Sequence, residues 1–262
     1  MFGFVYEDYD IEINSIKKYL KQKNNNLLNG PNGLMILSGG CTMFEIAKYF
    51  DYQNLTAIDF NPKQIKLVKN KLSLSSDPDG YKEFILNTTM TFDNLFEQIK
   101  LGESFDSVFS NDNLIEKFGP SAVINTEKSF SNHFENIYKQ YLLNKTSSSY
   151  EWIWSRNLDI KCTFKPENIP YIFYPNIIIG NMTDYLFHDA YDFIQTSNLT
   201  DWMEKDEFKL FCSKIKLSLK TGGIVIMRRL LSTNILETEF EGCEILHDKT
   251  NFYKETICWV KK

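Results

Sequence analysis

Ser38-Gly39-Gly40-Cys41 joins an apolar run, Gly33-Leu34-Met35-Ile36-Leu37, to a segment from Thr42 to Phe50 with apolar residues at mixed helical spacing. Glycines between a strand and a helix let a ligand approach backbone N–H groups closely. Asp59 ends the next apolar run, Leu55-Thr56-Ala57-Ile58, about 20 residues further on, where a carboxylate can accept hydrogen bonds from both hydroxyls of a ribose. Together these residues read as a nucleoside site; the ordinary alternative is a strand-to-helix turn with Asp59 as a helix cap. Neither G-x-G-x-x-G nor G-x-x-x-x-G-K-[ST] occurs, which disfavours a pyrophosphate ligand and leaves S-adenosylmethionine (SAM) as a nucleoside that fits.

Two later segments add polar groups. Ile179-Gly180-Asn181-Met182 resembles the place where class I SAM-dependent enzymes put an adenine-contacting pair, with Asn181 where Asp is usual: Asn181 would bond the adenine edge and Met182 pack on its face. Asp192-Phe193-Ile194-Gln195-Thr196-Ser197-Asn198 ends another strand, and Ser197 and Asn198 would face the methionine portion of SAM. Asp201 is the candidate to orient or deprotonate an amine or hydroxyl, with capping of a helix near Lys205 as the alternative. Arg228 could pair with a carboxylate of cofactor or substrate, and strand alternation turns one of Arg228 and Arg229 outward. Tyr6 and Glu7 read either as an N-terminal lid or as an exposed acidic start. The aromatic residues Tyr150, Trp152, Trp154, Tyr171, Phe173 and Tyr174 could line an acceptor pocket or pack a core, and His133 could be a base or a structural histidine.

The elements needed to position these residues alternate. Strands are expected at Gly33–Ser38, Leu55–Asp59, Asn176–Gly180, Tyr191–Thr196 and Ile224–Met227. Helices are expected over Thr42–Phe50, from Pro62 to about Leu74 with Asn61 as cap, and over Lys205–Leu219. Further helical stretches fall near Phe92–Lys100 and Phe130–Leu143. Lys220-Thr221-Gly222-Gly223 reads as a turn, and the residues from Cys243 to Val260 as a terminal hairpin. This pattern predicts an α/β, Rossmann-like fold, mainly parallel, with an antiparallel edge and its ligand at the carboxyl ends of the central strands. Residues 1–72 and 171–262 would form the two halves of the nucleoside-binding domain, around a largely helical insertion over 73–170.

Composition narrows the function classes. The 262 residues are 43% hydrophobic and 24% charged, which suits a globular chain, and the formal net charge of −5 disfavours broad nucleic-acid binding. No apolar stretch approaches the length of a membrane span and the N-terminus is acidic, so a cytoplasmic protein without a membrane signal is expected. Cys41, Cys162, Cys212, Cys243 and Cys258 are scattered and read as reduced thiols. With His133, His188 and His247 far apart, no metal is expected.

Leu37-Ser38-Gly39-Gly40-Cys41, Ala57-Ile58-Asp59-Phe60-Asn61-Pro62-Lys63-Gln64, Tyr6-Glu7-Asp8, Thr196 to Trp202 and Gly222-Gly223 through Arg229 resemble the SAM-dependent 3-amino-3-carboxypropyltransferases related to betaine-lipid synthesis enzymes. The resemblance covers the nucleotide half and leaves 73–170 unmatched. It implies a class I SAM-dependent methyltransferase fold and SAM as co-substrate. The cofactor would be held by Ser38, Gly39, Gly40, Cys41, Asp59, Phe60, Asn61, Asn181, Met182, Ser197 and Asn198. Asn198 and Asp201 would serve catalysis, and Tyr6 and Arg228 would bind substrate. The reaction implied is transfer of the 3-amino-3-carboxypropyl group to a small-molecule acceptor, or its cyclisation to azetidine-2-carboxylate, releasing methylthioadenosine. A small-molecule methyltransferase and a non-catalytic SAM-binding protein are the alternatives, and the oligomeric state is open.

Overall fold

The computed structural model describes residues 7–20, 31–50, 54–74, 76–77, 79–81, 83–84, 98–108, 110, 112–113, 116, 176–230, 232–249 and 253–262. One compact unit holds the described residues among 7–37, 42–60 and 170–262; the other holds 38–41 and the described residues from 61 to 116. The helices expected at Phe130–Leu143 and over most of Phe92–Lys100 lie outside the described residues, as do Tyr6, His133 and the aromatic group from Tyr150 to Tyr174.

The first unit is built on a seven-stranded sheet: β1 (Gly33–Ile36), β2 (Leu55–Asp59), β3 (Asn176–Ile179), β4 (Tyr191–Gln195), β5 (Leu219–Arg229), β6 (Glu244–Ile245) and β7 (Glu255–Val260). Their spatial order is β3-β2-β1-β4-β5-β7-β6. The first five pair in parallel, and β7 runs antiparallel to both β5 and β6. This is the expected Rossmann-like, mainly parallel α/β arrangement, with the antiparallel hairpin at one edge. The order reverses between β1 and β4, and in open α/β sheets ligands bind at the carboxyl ends of strands beside such a switch point.

The strand sequences account for their places. Leu34, Met35, Ala57, Ile58, Phe193, Ile194 and Ile224 through Met227 are buried, as central parallel strands covered on both faces require. At the edge, Ile179 of β3 is 60% exposed. The helix Lys205–Ser218 turns Phe208, Phe211, Cys212 and Ile215 into a core shared with Leu34, Ile58, Ile194, Val225, Met227 and Ile257. The helix over Thr42–Phe50 is shorter than its spacing predicts: α2 covers Cys41–Ile46 and tightens into a 3₁₀ turn at Ala47–Tyr49.

Lys220–Gly223 is a bulge inside β5 rather than a turn before it, because pairing with β4 jumps from Tyr191↔Leu219 to Phe193↔Ile224. Gly222 has φ +75°. At Gly223 a Cβ would lie 2.9 Å from the Lys220 carbonyl oxygen and 3.0 Å from that of Tyr191, so only glycine fits.

The N-terminal segment carries an element the apolar periodicity had not singled out. Helix α1 (Asp10–Ser15) continues into a wider turn at Ile16–Leu20, burying Ile11, Ile13, Ile16 and Leu20. Among the described residues no helix is long and apolar enough to cross a membrane.

Candidate functional site

The chain leaves β1 at Ile36 and enters Ser38–Cys41 one residue later. Ser38 has φ +47° and Gly40 φ +80°. A non-glycine residue in the left-handed region is unfavourable and persists where its surroundings impose it, commonly at functional turns. Within the second unit, Lys71 of α3 (Pro62–Ser73) is buried and donates from Nζ to the Gly39 carbonyl at 2.6 Å, with Cys41 Sγ at 3.6 Å. A buried ammonium thus fixes the carbonyl of the glycine turn. The spacing contained a signal for Lys71, since it continues the buried stripe Gln64, Ile65, Leu67 and Val68 of α3.

Asn61 caps α3, its Oδ1 accepting from Lys63 N at 3.0 Å with Pro62 at the first helical position, as the sequence predicts. Asp59 is therefore not the cap of that helix. It ends β2 half-buried, with its carbonyl accepting from Gly180 N at 3.1 Å, and Phe60 beside it is 42% exposed.

Past β3, Asn181 is exposed and its Oδ1 accepts from Thr183 N at 3.1 Å, capping a 3₁₀ turn at Met182–Tyr185. Met182 is 1% exposed and belongs to the hydrophobic core. Its side chain packs the sheet, which corrects the expectation that it lies on a ligand face.

Past β4 the polar residues bond to one another. Ser197 has φ +51° and its carbonyl accepts from Arg228 N at 2.9 Å. Ser197 Oγ lies 3.4 Å from Asn198 Oδ1, and Asn198 Nδ2 donates to Asp201 Oδ2 at 3.0 Å. The Asp201 carboxylate also accepts from Leu230 N at 3.0 Å and Ser232 N at 3.1 Å. Helix Lys205–Ser218 is preceded by Glu204 without a side-chain cap bond, so Asp201 instead clasps the chain leaving β5. That arrangement orients Asn198 and Ser197 and suits Asp201 to positioning more than to accepting a substrate proton.

Arg228 is 0% exposed. Nη1 and Nη2 bond both oxygens of Glu12, Nε reaches Asp248 Oδ2 at 3.3 Å, and the Tyr253 ring lies 5.6 Å from the guanidinium carbon. The guanidinium is committed to protein carboxylates, which replaces the expectation that it pairs with a ligand. Arg229 turns to the other face and bonds Glu255 Oε2 at 2.6 Å, following the expected alternation. Burial raises Glu12 above the usual carboxylate range, Arg228 opposes that shift, and the charge on Glu7 adds to it. Glu7 is neither lid nor exposed start: it is buried, with Thr42 Oγ1 and Gln195 Nε2 donating to Oε2. Glu12 was missed because a glutamate between Ile11 and Ile13 reads as solvent-facing.

No protein-family model and no curated protein matches the chain. Among solved structures it is similar to the rRNA methyltransferase aviRa from Streptomyces viridochromogenes, at 12% identity and TM-score 0.45, covering 99% of this chain and 87% of that one. It is also similar to a SAM-dependent methyltransferase from Clostridium acetobutylicum, at 9% identity and TM-score 0.38 over 97% and 73% of the two chains. TehB from Haemophilus influenzae gives 9% identity and TM-score 0.38 over 95% and 67%.

Proposed function

We propose that this chain is a SAM-dependent transferase that moves the 3-amino-3-carboxypropyl group to a small-molecule nucleophile. The observation that carries the SAM reading is the placement of Asp59 at the carboxyl end of β2, one strand from the switch point, with the strained Ser38–Gly40 turn directly after β1. Asp59 would hold the ribose hydroxyls, the backbone of Ser38–Cys41 would meet the amino-acid end, and Asn181 would bond the adenine. The residues resembling aminocarboxypropyltransferases, above all Ser38-Gly39-Gly40-Cys41 with Asp59-Phe60-Asn61-Pro62-Lys63-Gln64, support attack at the γ-carbon.

In that reaction the acceptor's lone pair forms a bond to the methionine γ-carbon. The carbon–sulfur bond breaks, its electron pair returns to sulfur, and methylthioadenosine leaves. A proton is lost from the acceptor. The carbon is already activated by the cationic sulfur, so alignment within about 3–3.5 Å is the protein's main contribution. The Ser197–Asn198–Asp201 network supplies rigidity for that task. Cyclisation by the cofactor's own amine is the same displacement without an external acceptor.

Transfer of the methyl group is the second reading, since the sheet order suits either displacement equally. Incubating the protein with SAM, with and without small metabolites of its source cells, and identifying the spent cofactor by mass spectrometry separates the two. Methylthioadenosine above the nonenzymatic background is the expected product. S-adenosylhomocysteine in its place would make the protein a methyltransferase.

A further inference from the structure

Glu7 and Gln195 are 3% and 1% exposed and lie 188 residues apart in the chain. Gln195 Nε2 donates to Glu7 Oε2 at 3.0 Å, and Thr42 Oγ1 donates to the same oxygen. The second oxygen of each side chain, Glu7 Oε1 and Gln195 Oε1, has no hydrogen-bond partner among the described residues. Buried acceptors are nearly always paired, so two of them on directly bonded side chains mark a place suited to a donor.

The charge around Glu7 is a second, independent observation. Both terminal nitrogens of Arg228 bond Glu12, and Glu7 Oε1 stands 3.8 Å from Nη1, beyond hydrogen-bond reach. Counting Glu7 and Glu12 alone, two buried carboxylates share one guanidinium. A buried excess of negative charge is unfavourable unless a proton or a cation joins it. The unmatched charge and one of the two unpaired acceptors fall on the same residue, Glu7, and the other acceptor is on its hydrogen-bonded neighbour Gln195.

We infer that Glu7 and Gln195 receive the protonated primary amine of a small molecule. An ammonium carries a positive charge and three N–H donors and no acceptor, which complements two unpaired acceptor oxygens beside excess negative charge. A divalent metal needs more ligating groups, and among the described residues no three His, Cys, Asp or Glu side chains gather as metal ligands. Gln195 ends β4 immediately before Thr196-Ser197-Asn198, so the amine would enter at the carboxyl end of that strand. It belongs either to the amino-acid portion of SAM, in which case the inference rests on the proposed function, or to an amine acceptor, in which case it does not.

The test is calorimetric titration of the wild type, Glu7→Gln and Gln195→Met with SAM and with methylthioadenosine, which lacks the amino-acid portion. It is paired with thermal unfolding in n-propylamine hydrochloride against n-propanol at equal ionic strength. If SAM supplies the amine, both variants bind SAM about tenfold or more weakly, as loss of a charged hydrogen bond implies, and bind methylthioadenosine as the wild type does. If an acceptor supplies it, SAM affinity holds in all three, and propylamine, not propanol, raises the wild-type midpoint and has no effect on the variants. Gln195→Met keeps the Glu7 charge and serves the same comparison should Glu7→Gln fail to fold. A wild type that binds neither nucleoside yet is stabilised by propylamine overturns the proposed function and supports the amine site. Unchanged SAM binding in the variants with no propylamine effect on the wild type overturns the amine site; so does a wild type that responds to none of the ligands.

Discussion

The segments that follow β4 and β2 leave the same parallel sheet, yet they are built differently. After β4, Ser197, Asn198 and Asp201 are bonded in series and tied to the backbone that leaves β5. After β2 and β3, Phe60 is largely open and Asn181 is exposed beyond its own local cap. The first region is pre-organised: its side chains are held before any ligand arrives, which is what positioning within tenths of an ångström demands. The second presents surfaces for a ligand to complete. Under the proposed function, the chemistry would fall to the rigid β4–β5 side and the capture of adenosine to the β2–β3 side.

Substitutions on the rigid side should cost stability, beginning with the largest effect. Arg228→Met leaves Glu12 and Glu7 buried without their guanidinium and should destabilise the fold by about 3–5 kcal/mol in urea unfolding. A loss below about 1 kcal/mol would mean that the cluster does not hold the N-terminal segment in place. Asp201→Ala removes the acceptor for two backbone N–H groups and one amide, and should cost about 2–3 kcal/mol as well as slow turnover. If turnover falls with no change in stability, Asp201 acts on the substrate directly and the positioning role is wrong.

The pH dependence sharpens the same contrast. Burial raises Glu12 above the 4.5 of an ordinary glutamate, so the folded state keeps a proton that the unfolded state has already released. That contribution to stability is fully present below about 4.5 and is lost as pH rises through the folded-state pKa. Thermal midpoints of the wild type against Glu12→Gln across this range should show the decline in the wild type and its absence in the variant; parallel profiles would remove Glu12 from the account. The smallest effect concerns Cys212 and Cys258, whose thiols burial pushes up to about 12. Neither should be alkylated by iodoacetamide at neutral pH in the native protein, and mass mapping of the modified peptides checks this.

The fold was legible because its signals are local. Leu55–Asp59 was read to the residue, and Asn61-Pro62 marked the start of α3, since strand patterning and cap chemistry act over a few residues. The bulge in β5 was half legible: Gly222-Gly223 announced a turn, but only pairing with β4 shows that the strand continues through it. Burial misled at two candidate residues. Met182 offers a polarisable side chain of the right kind for an adenine face, but the core took it, and Arg228 met Glu12, 216 residues away in the sequence. Glu12 and Gln195 were illegible for the same reason, because their partners are brought together only by the sheet and the docking of α1. Lys71 was not singled out either, although its helical spacing from Gln64 and Val68 places it on the buried stripe of α3.

Calorimetric titration of SAM into the wild type and Asp59→Ala, with unfolding midpoints measured in parallel, tests the central claim most directly. The account predicts measurable wild-type binding and a loss of about 10- to 100-fold in Asp59→Ala, as removal of charged hydrogen bonds to a ribose implies, with the variant still folded at the titration temperature. Equal affinity in the two proteins, or no binding by the wild type, would contradict it.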